Sequence, residues 1–328
     1  MTATETSALT EPYRRELVGY CYRFFGSYPE AEDAVQETMM RAWRRAETFT
    51  GASSVRTWLY RIATNICLDM KRAPQRRALP VDLSGPGTVP DGPPHLPTAP
   101  PEAWIGPISD THLAEHADDP AERAALRDSV RLAFLAALQL LPPRQRVLLL
   151  LRDVLAWSAQ DCADLLDMTV PAVNSALARA RRTVRVHDAG PPPRAPDNAE
   201  ATLLRQYVEA FEAYDIDRLV ALLADDAAFS MPPYRFWIRG AAQIERWWRG
   251  PGQVCRNSRT VPTRANDITA VGVYHPVSVG RWEPFAVHVV EMIDGQISAL
   301  THFMGPAVFA ELGLPDIVED SSVGTDQF

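Results

Sequence analysis

Cysteine is scarce in this 328-residue chain, and the four that occur, Cys21, Cys67, Cys162 and Cys255, stand far apart. They form no CxxC pair, and the histidines make no cluster at metal-ligand spacing, which argues against a structural zinc and for a reducing compartment. Long apolar runs are missing as well. No stretch comes near the ~20 residues that a bilayer span needs, and the N-terminal MTATETSALTEPYRR has no apolar core of signal-peptide length. A cytoplasmic location without membrane contact is expected. Lysine is nearly absent: of 33 basic residues only Lys71 is not an arginine, a bias that carries no functional meaning by itself. No activated nucleophile, metal set or phosphate loop stands out, so no cofactor is expected.

A net charge of −8 argues at first against a nucleic-acid partner, because a polyanion is bound by displacing its counterions with positive charge. The distribution of charge along the chain points the other way. Residues 11–77 carry 12 basic and 8 acidic side chains, and residues 123–187 carry 10 and 5. Between them, residues 78–122 hold 8 acids, 10 prolines and neither Lys nor Arg, a composition that predicts a linker without a core of its own. The excess of acid lies in that linker and beyond residue 188. The breaks suggest modules at 8–75 and 123–187, a linker at 76–122, a second linker at 188–199, a C-terminal domain at 200–315 and a tail at 316–328, in keeping with a chain too long for one ordinary core.

From Pro12 to Arg72 apolar residues recur at helical spacing: Leu17, Cys21, Phe24 and Phe25, then Ala34, Val35, Met39 and Trp43. Pro29 suits the first turn of a helix opened by Glu30, Glu32 and Asp33. A polar loop from Glu47 to Ser54 precedes a third helix, where Arg56, Arg61, Lys71 and Arg72 interleave with Trp58, Leu59, Tyr60 and Ile62. Basic groups beside aromatic rings suit single-stranded DNA, since arginine meets the backbone while a ring offers a stacking surface. A core residue with a solvated charged face is the plainer reading of any one of them.

The second module reads as two short helices joined by a tight turn. Pro142-Pro143 interrupts one helix, Ser158 with Asp161 starts another like a capping box, and Thr169 is placed to cap a third. On that third helix Val170, Val173, Leu177, Ala180 and Val184 form an apolar stripe, leaving Ala172, Asn174, Ser175, Ala178, Arg179, Arg181, Arg182 and Arg185 outside. This is the layout of a helix-turn-helix whose last helix enters the major groove, with small and amide side chains toward base edges and arginines toward phosphates. A glycine often eases the turn, and here Asp167-Met168 occupies it.

PEAEDAVQETMMRAW followed by VRTWLYRIATNICLDMKR resembles the second conserved region of the extracytoplasmic-function (ECF) sigma factors of bacterial RNA polymerase. LPPRQRVLLLLRDVLAWSAQDCADLLDMTVPAVNSALARARRTV resembles their fourth region. The resemblance implies a partner, the polymerase core with its beta and beta-prime subunits, and a target, promoter DNA. It places Asp33, Gln36, Glu37, Arg41 and Trp43 on the polymerase-docking helix. Arg56, Trp58, Arg61, Asn65, Lys71 and Arg72 fall on the helix that meets the opened minus-ten element, with a flipped base held by the 47–54 loop. Ala172, Asn174, Ser175, Ala178, Arg179, Arg181, Arg182 and Arg185 fall on the helix that reads the minus-thirty-five element.

Residues 200–223 predict a helical stretch, followed by strands at Ala227–Met231, Arg235–Ile238 and Arg264–Tyr274 and by a hairpin from Val287 to Phe303 around Asp294-Gly295. The fold class expected is multi-domain, two all-α modules and a C-terminal α+β domain. YVEAFEAYDIDRLVALLADDAAFSMPPYRFWIRGAAQIERWW is similar to the SnoaL-like, NTF2-like cones, which implies an interior pocket and a small-molecule ligand as a further partner. Asp226, Met231, Trp237, Trp247, His288 and His302 are the pocket candidates. The plainer reading makes Asp225 and Asp226 a polar helix end and both histidines satisfied sheet residues. Three functions stay open: a sigma factor whose cone regulates it and catalyses nothing, a cyclase- or isomerase-like enzyme with a helical regulator, and a ligand-controlled helix-turn-helix repressor.

Overall fold

The structure, a computed structural model, describes residues 8–49, 51, 53–70, 77–92, 94, 96–113, 125–188 and 197–320. The chain separates into two compact units, one formed by residues 1–78 and 105–190 and the other by 79–104 and 191–328. The segment whose composition predicts a linker is therefore divided between the two units.

The first unit is helical. α1 (Arg14–Phe25), α2 (Tyr28–Arg44) and α3 (Val55–Met70) form its first bundle. α1 stops at Gly26, whose φ of 70° is the left-handed conformation that glycine adopts without strain. Ser27 then caps α2, its hydroxyl accepting from the Glu30 amide, with Pro29 in the first turn as expected. Leu17, Tyr20, Phe24, Leu59 and Tyr60 are fully buried between the helices, and such burial contributes about 1.5–3 kcal/mol per large apolar side chain. Trp43 departs from the apolar stripe assigned to α2. It stands 54% exposed, and Thr38 and Ala42 fill the inner positions instead.

In the same unit α4 (Leu132–Gln139) and α5 (Pro143–Leu149) precede a π-helical turn at Leu150–Val154. α6 (Ala159–Leu166) begins at Ser158, whose side chain accepts from the Asp161 amide at 3.0 Å. Asp167 makes the turn in the left-handed region, φ 52° and ψ 56°, a conformation that Asp tolerates better than most residues. α7 (Val170–His187) follows, capped by Thr169.

The second unit packs α8 (Asp197–Glu212), α9 (Ile216–Ala221) and α10 (Ala241–Arg249) with a curved sheet. Its strands are β1 (Leu223–Ser230), β2 (Trp237–Arg239), β3 (Arg259–Ala265), β4 (Ile268–Ser278), β5 (Arg281–Ile293), β6 (Gln296–Met304) and β7 (Val318–Glu319). The order is β2-β1-β6-β5-β4-β3, with β7 on β5 and β1 parallel to β6. Two turns were hidden in the sequence. Tyr214, at φ 52°, ends the long helical stretch, and Asn266-Asp267, at φ 57° and 58°, folds what reads as one strand into the β3–β4 hairpin. The expected hairpin around Asp294-Gly295 joins β5 and β6. α11 (Ala307–Glu311) lies on the opposite face, so close to β4 that a Cβ on Gly272 would meet Leu314 at 2.9 Å and Phe309 at 3.2 Å.

The described residues of the segment 79–104 form a strap on this unit. The Trp237 indole donates to the Ser84 carbonyl at 2.9 Å, and the Gly87 amide donates to the Trp237 carbonyl at 2.8 Å. The Ala99 amide donates to the Pro233 carbonyl (3.0 Å) and the Arg235 amide to the Pro97 carbonyl (2.9 Å), extending the contact. Val89 is buried in the cone's apolar core, with Leu96 packed beside it. A chain too acidic and proline-rich to fold alone is thus held by a core it borrows.

Candidate nucleic-acid interface

On α2, Asp33, Gln36 and Trp43 are exposed, whereas Glu37 and Arg41 are half-buried and joined by an ion pair at 2.6 Å. Spacings of three, four and seven residues put Asp33, Gln36, Glu37 and Met40 along one side of the helix. Met40 is 40% exposed there, and sequence alone passes over it because a methionine in this pattern reads as core. On α3, Arg61 and Asn65 are exposed and Trp58 is half-buried against Phe49, ring centroids 5.2 Å apart. Arg56 is held differently: its guanidinium pairs with Glu16 of α1 and lies over Tyr60. Lys71 and Arg72 lie outside the described residues.

On α7 the outer positions fall in two rows, Ala172, Ser175, Arg179 and Arg182 in one and Asn174, Ala178, Arg181 and Arg185 in the other. All are exposed except Ala172, which is half-buried. The four arginines are not equivalent. Arg181 makes a fork onto Asp153, Nε to Oδ2 at 2.9 Å and Nη2 to Oδ1 at 2.6 Å, and this bond raises its pKa further. Asp153 sits on the π-helical turn, 28 residues away in sequence, so no local signal announces the pair. Among the described residues no carboxylate pairs with Arg179, Arg182 or Arg185.

Three family models match along the chain: Sigma-70 region 2 at residues 9–77, Sigma-70 region 4 at 131–184 and the SnoaL-like domain at 204–300. The ECF RNA polymerase sigma factor SigG of Mycobacterium tuberculosis is 44% identical over 319 residues, covering 94% of this chain and 84% of its own. This chain belongs to the ECF RNA polymerase sigma factors. Another relative, SigJ of the same species, is 27% identical over 249 residues, covering 73% of this chain and 71% of its own. The crystal structure of SigJ shares the fold, with a TM-score of 0.59 at 23% identity over 93% of this chain and 98% of the other.

The sigma factor's third module brings four of its six pocket candidates together. Phe229 touches both Trp247 (5.9 Å) and His302 (4.6 Å), and His302 lies flat on His288, centroids 3.3 Å apart at 5°. Met231 closes the same buried cluster. The other two lie elsewhere. Trp237 turns to the strap, on the face opposite Ile238, and Asp226 is exposed within β1, beside the Ala227 carbonyl that accepts from the Gly240 amide at the start of α10. The histidines are not satisfied as a sheet residue would be. Tyr207 bonds His288 Nδ1 at 2.8 Å, yet the buried Nε2 atoms of His275, His288 and His302 have no partner among the described residues. Burial drives all three pKa values down, to about 4 at His275 and about 3 at His302, and the neighbouring imidazoles lower His288 further. All three rings are neutral near pH 7.

Among the described residues no group of three or more His, Cys, Asp or Glu could hold a metal, and no helix is long and apolar enough to cross a membrane.

Proposed function

We propose that this ECF sigma factor docks on the beta and beta-prime subunits of core polymerase through the Asp33, Gln36, Glu37, Arg41 and Trp43 face of α2. α3 captures the opened minus-ten strand with Trp58, Arg61 and Asn65. α7 lies in the major groove of the minus-thirty-five element, with Asn174, Ser175 and Ala178 toward base edges and Arg179, Arg182 and Arg185 toward phosphates. The observation that carries this reading is the outer face of α7: three exposed arginines without a carboxylate partner among the described residues, beside small and amide side chains. Arg181 serves as a positioning residue, fixing the helix through Asp153. Transcription reconstituted with purified core polymerase in a reducing, cytoplasm-like buffer tests the whole reading. The full chain should start transcripts at its own promoters, and Arg179→Ala with Arg182→Ala should abolish them; equal output from that variant overturns the α7 assignment.

The cone regulates and does not catalyse. Support comes from Asp226, the one carboxylate candidate, which lies outside the interior cluster, and from an imidazole pair whose described hydrogen bond goes to the Tyr207 hydroxyl, a phenol that burial keeps protonated. Trp247 fluorescence, followed while small molecules are screened, tests ligand sensing, and turnover of any ligand found would overturn the non-catalytic reading.

A further inference from the structure

Within the first helical bundle, α3 is tied to α1 by a row of polar bonds. Glu16 Oε1 accepts from Arg56 Nε at 2.5 Å and from the Tyr60 hydroxyl at 2.9 Å, and Arg56 Nη2 pairs with the same oxygen. One turn further along both helices the hydroxyls of Tyr20 and Thr64 bond at 2.8 Å. Between the two bonds the Tyr20 and Tyr60 rings meet edge to face, centroids 5.1 Å apart. The spacing is regular. Glu16 and Tyr20 lie four apart on α1, and Arg56, Tyr60 and Thr64 lie four apart on α3, so each set forms one row on its helix. Tyr20, Tyr60 and Thr64 are buried, whereas Glu16 and Arg56 close the row at its rim, their side chains 25% and 38% exposed.

Burial pushes both phenols above their ordinary pKa, and the Glu16 carboxylate pushes Tyr60 further. Tyr60 is therefore a donor to Glu16 at neutral pH. A buried hydroxyl that loses its partner is left with the full cost of its desolvation. Such a ladder specifies one rotation of α3 about its own axis, because each bond is made at one rotation only, where an apolar seam would accept several. Glu16 has a second effect. α3 has no acidic residue in its own first turn, where the positive end of the helix dipole opposes the cation of Arg56. The carboxylate from α1 offsets both.

Trp58, Arg61 and Asn65, three and four residues apart, form a second row about half a turn round α3 from the ladder, at about 3.6 residues per turn. Where that row points is set by the rotation that the ladder fixes. We infer that Glu16, Arg56 and Tyr60 are positioning residues for strand capture: they hold α3 at the rotation that presents Trp58 to the opened minus-ten strand, and Arg56 commits its guanidinium to Glu16 instead of a phosphate. This rests on the reading that α3 captures that strand.

The test uses holoenzyme assembled from the full chain and core polymerase, with a promoter carrying 2-aminopurine in the minus-ten element so that fluorescence reports opening. Trp58→Ala tests the strand-capture reading itself. Glu16→Gln, which keeps an acceptor for Tyr60, and Arg56→Ala should each slow opening at saturating holoenzyme by about fivefold or more, the low end of what one base–aromatic stack contributes. Assembly with core polymerase and the salt dependence of promoter binding should stay as in the unsubstituted chain. The exchanged pair, Glu16→Arg with Arg56→Glu, should recover most of the rate, because the ion pair re-forms with its ends reversed, whereas a phosphate contact would become a repulsion. A salt slope flattened by about 0.7 in Arg56→Ala, the value for one single-strand phosphate, overturns the positioning role. Opening unchanged by Glu16→Gln and Arg56→Ala while Trp58→Ala is slow also overturns it, as does an exchanged pair no faster than the single variants. If Trp58→Ala opens as fast as the unsubstituted chain, the strand-capture reading falls and this inference with it.

Discussion

At the scale of single residues, arginines that look alike in sequence divide by their partners. Each lysine or arginine that displaces a counterion from duplex DNA contributes about 0.9 to the slope of log affinity against log salt. Arg179→Ala and Arg182→Ala should each flatten that slope by nearly one, whereas Arg181→Ala should leave it almost unchanged and weaken discrimination between promoter sequences, because Asp153 already occupies its guanidinium. Asp153→Asn should free Arg181 and steepen the slope. Equal slopes for Arg181→Ala and Arg179→Ala would remove the distinction. The buried imidazoles make a second prediction. His302 and His275 titrate near 3 and 4 when folded, against an ordinary 6.5. Above pH 6.5 both states are neutral and nothing is lost. As pH falls below 6.5 the unfolded chain takes up protons that the cone refuses, so its stability declines by up to ~1.4 kcal/mol per pH unit for each histidine, until the folded groups protonate near pH 4 and 3. Urea midpoints of the cone measured from pH 7 to pH 5 check this, and His302→Phe should shrink the dependence.

At the scale of elements, helix starts were legible in the sequence and two of the turns were not. Ser27, Ser158 and Thr169 cap where their residue types predict, because a side-chain oxygen bonding an orphan amide is a local event. Ser158→Ala should cost the helix-turn-helix about 1 kcal/mol in thermal unfolding. Asp167 turns without glycine at φ 52°; Asp167→Val should destabilise by about 1–2 kcal/mol, since a branched side chain is poorly tolerated there, and Asp167→Gly should be close to neutral. The turns at Tyr214 and Asn266-Asp267 stayed hidden because apolar residues on both sides kept the helical and strand-like patterns running through them. Of the pocket candidates, Asp226 and Trp237 fall outside the cluster because the face a strand residue takes depends on register: Asp226 lies in the stretch between Leu223 and Ala228 where the β1–β6 register shifts, and Trp237 pairs in regular register with Ser230. Asp153 holds Arg181 across 28 residues, beyond any window in which spacing carries information.

For the whole molecule, the acidic excess that by itself argues against DNA gains a physical setting. The strap contributes Asp82, Asp91 and Glu102, and the cone carries the exposed pair Asp225 and Asp226, so both belong to one acidic unit while the basic helices belong to the other. If that acidity competes with promoter DNA for the basic helices, removing it should tighten binding at low salt only, where the Debye length is about 10 Å or more. Cutting the chain near Asp188 is a poor test, because it strips the strap of its core and leaves Val89 and Leu96 uncovered. Neutralising exposed carboxylates keeps the unit folded. Asp225→Asn with Asp226→Asn, and Asp91→Asn, which also gives up its ion pair with Arg246, should together raise promoter affinity a few-fold at about 50 mM salt, in line with the modest worth of exposed charge pairs. At several hundred millimolar salt the variant and the unsubstituted chain should bind alike. Fluorescence anisotropy on a promoter duplex reads both conditions, and unchanged affinity at low salt would leave the acidic unit a role in solubility alone.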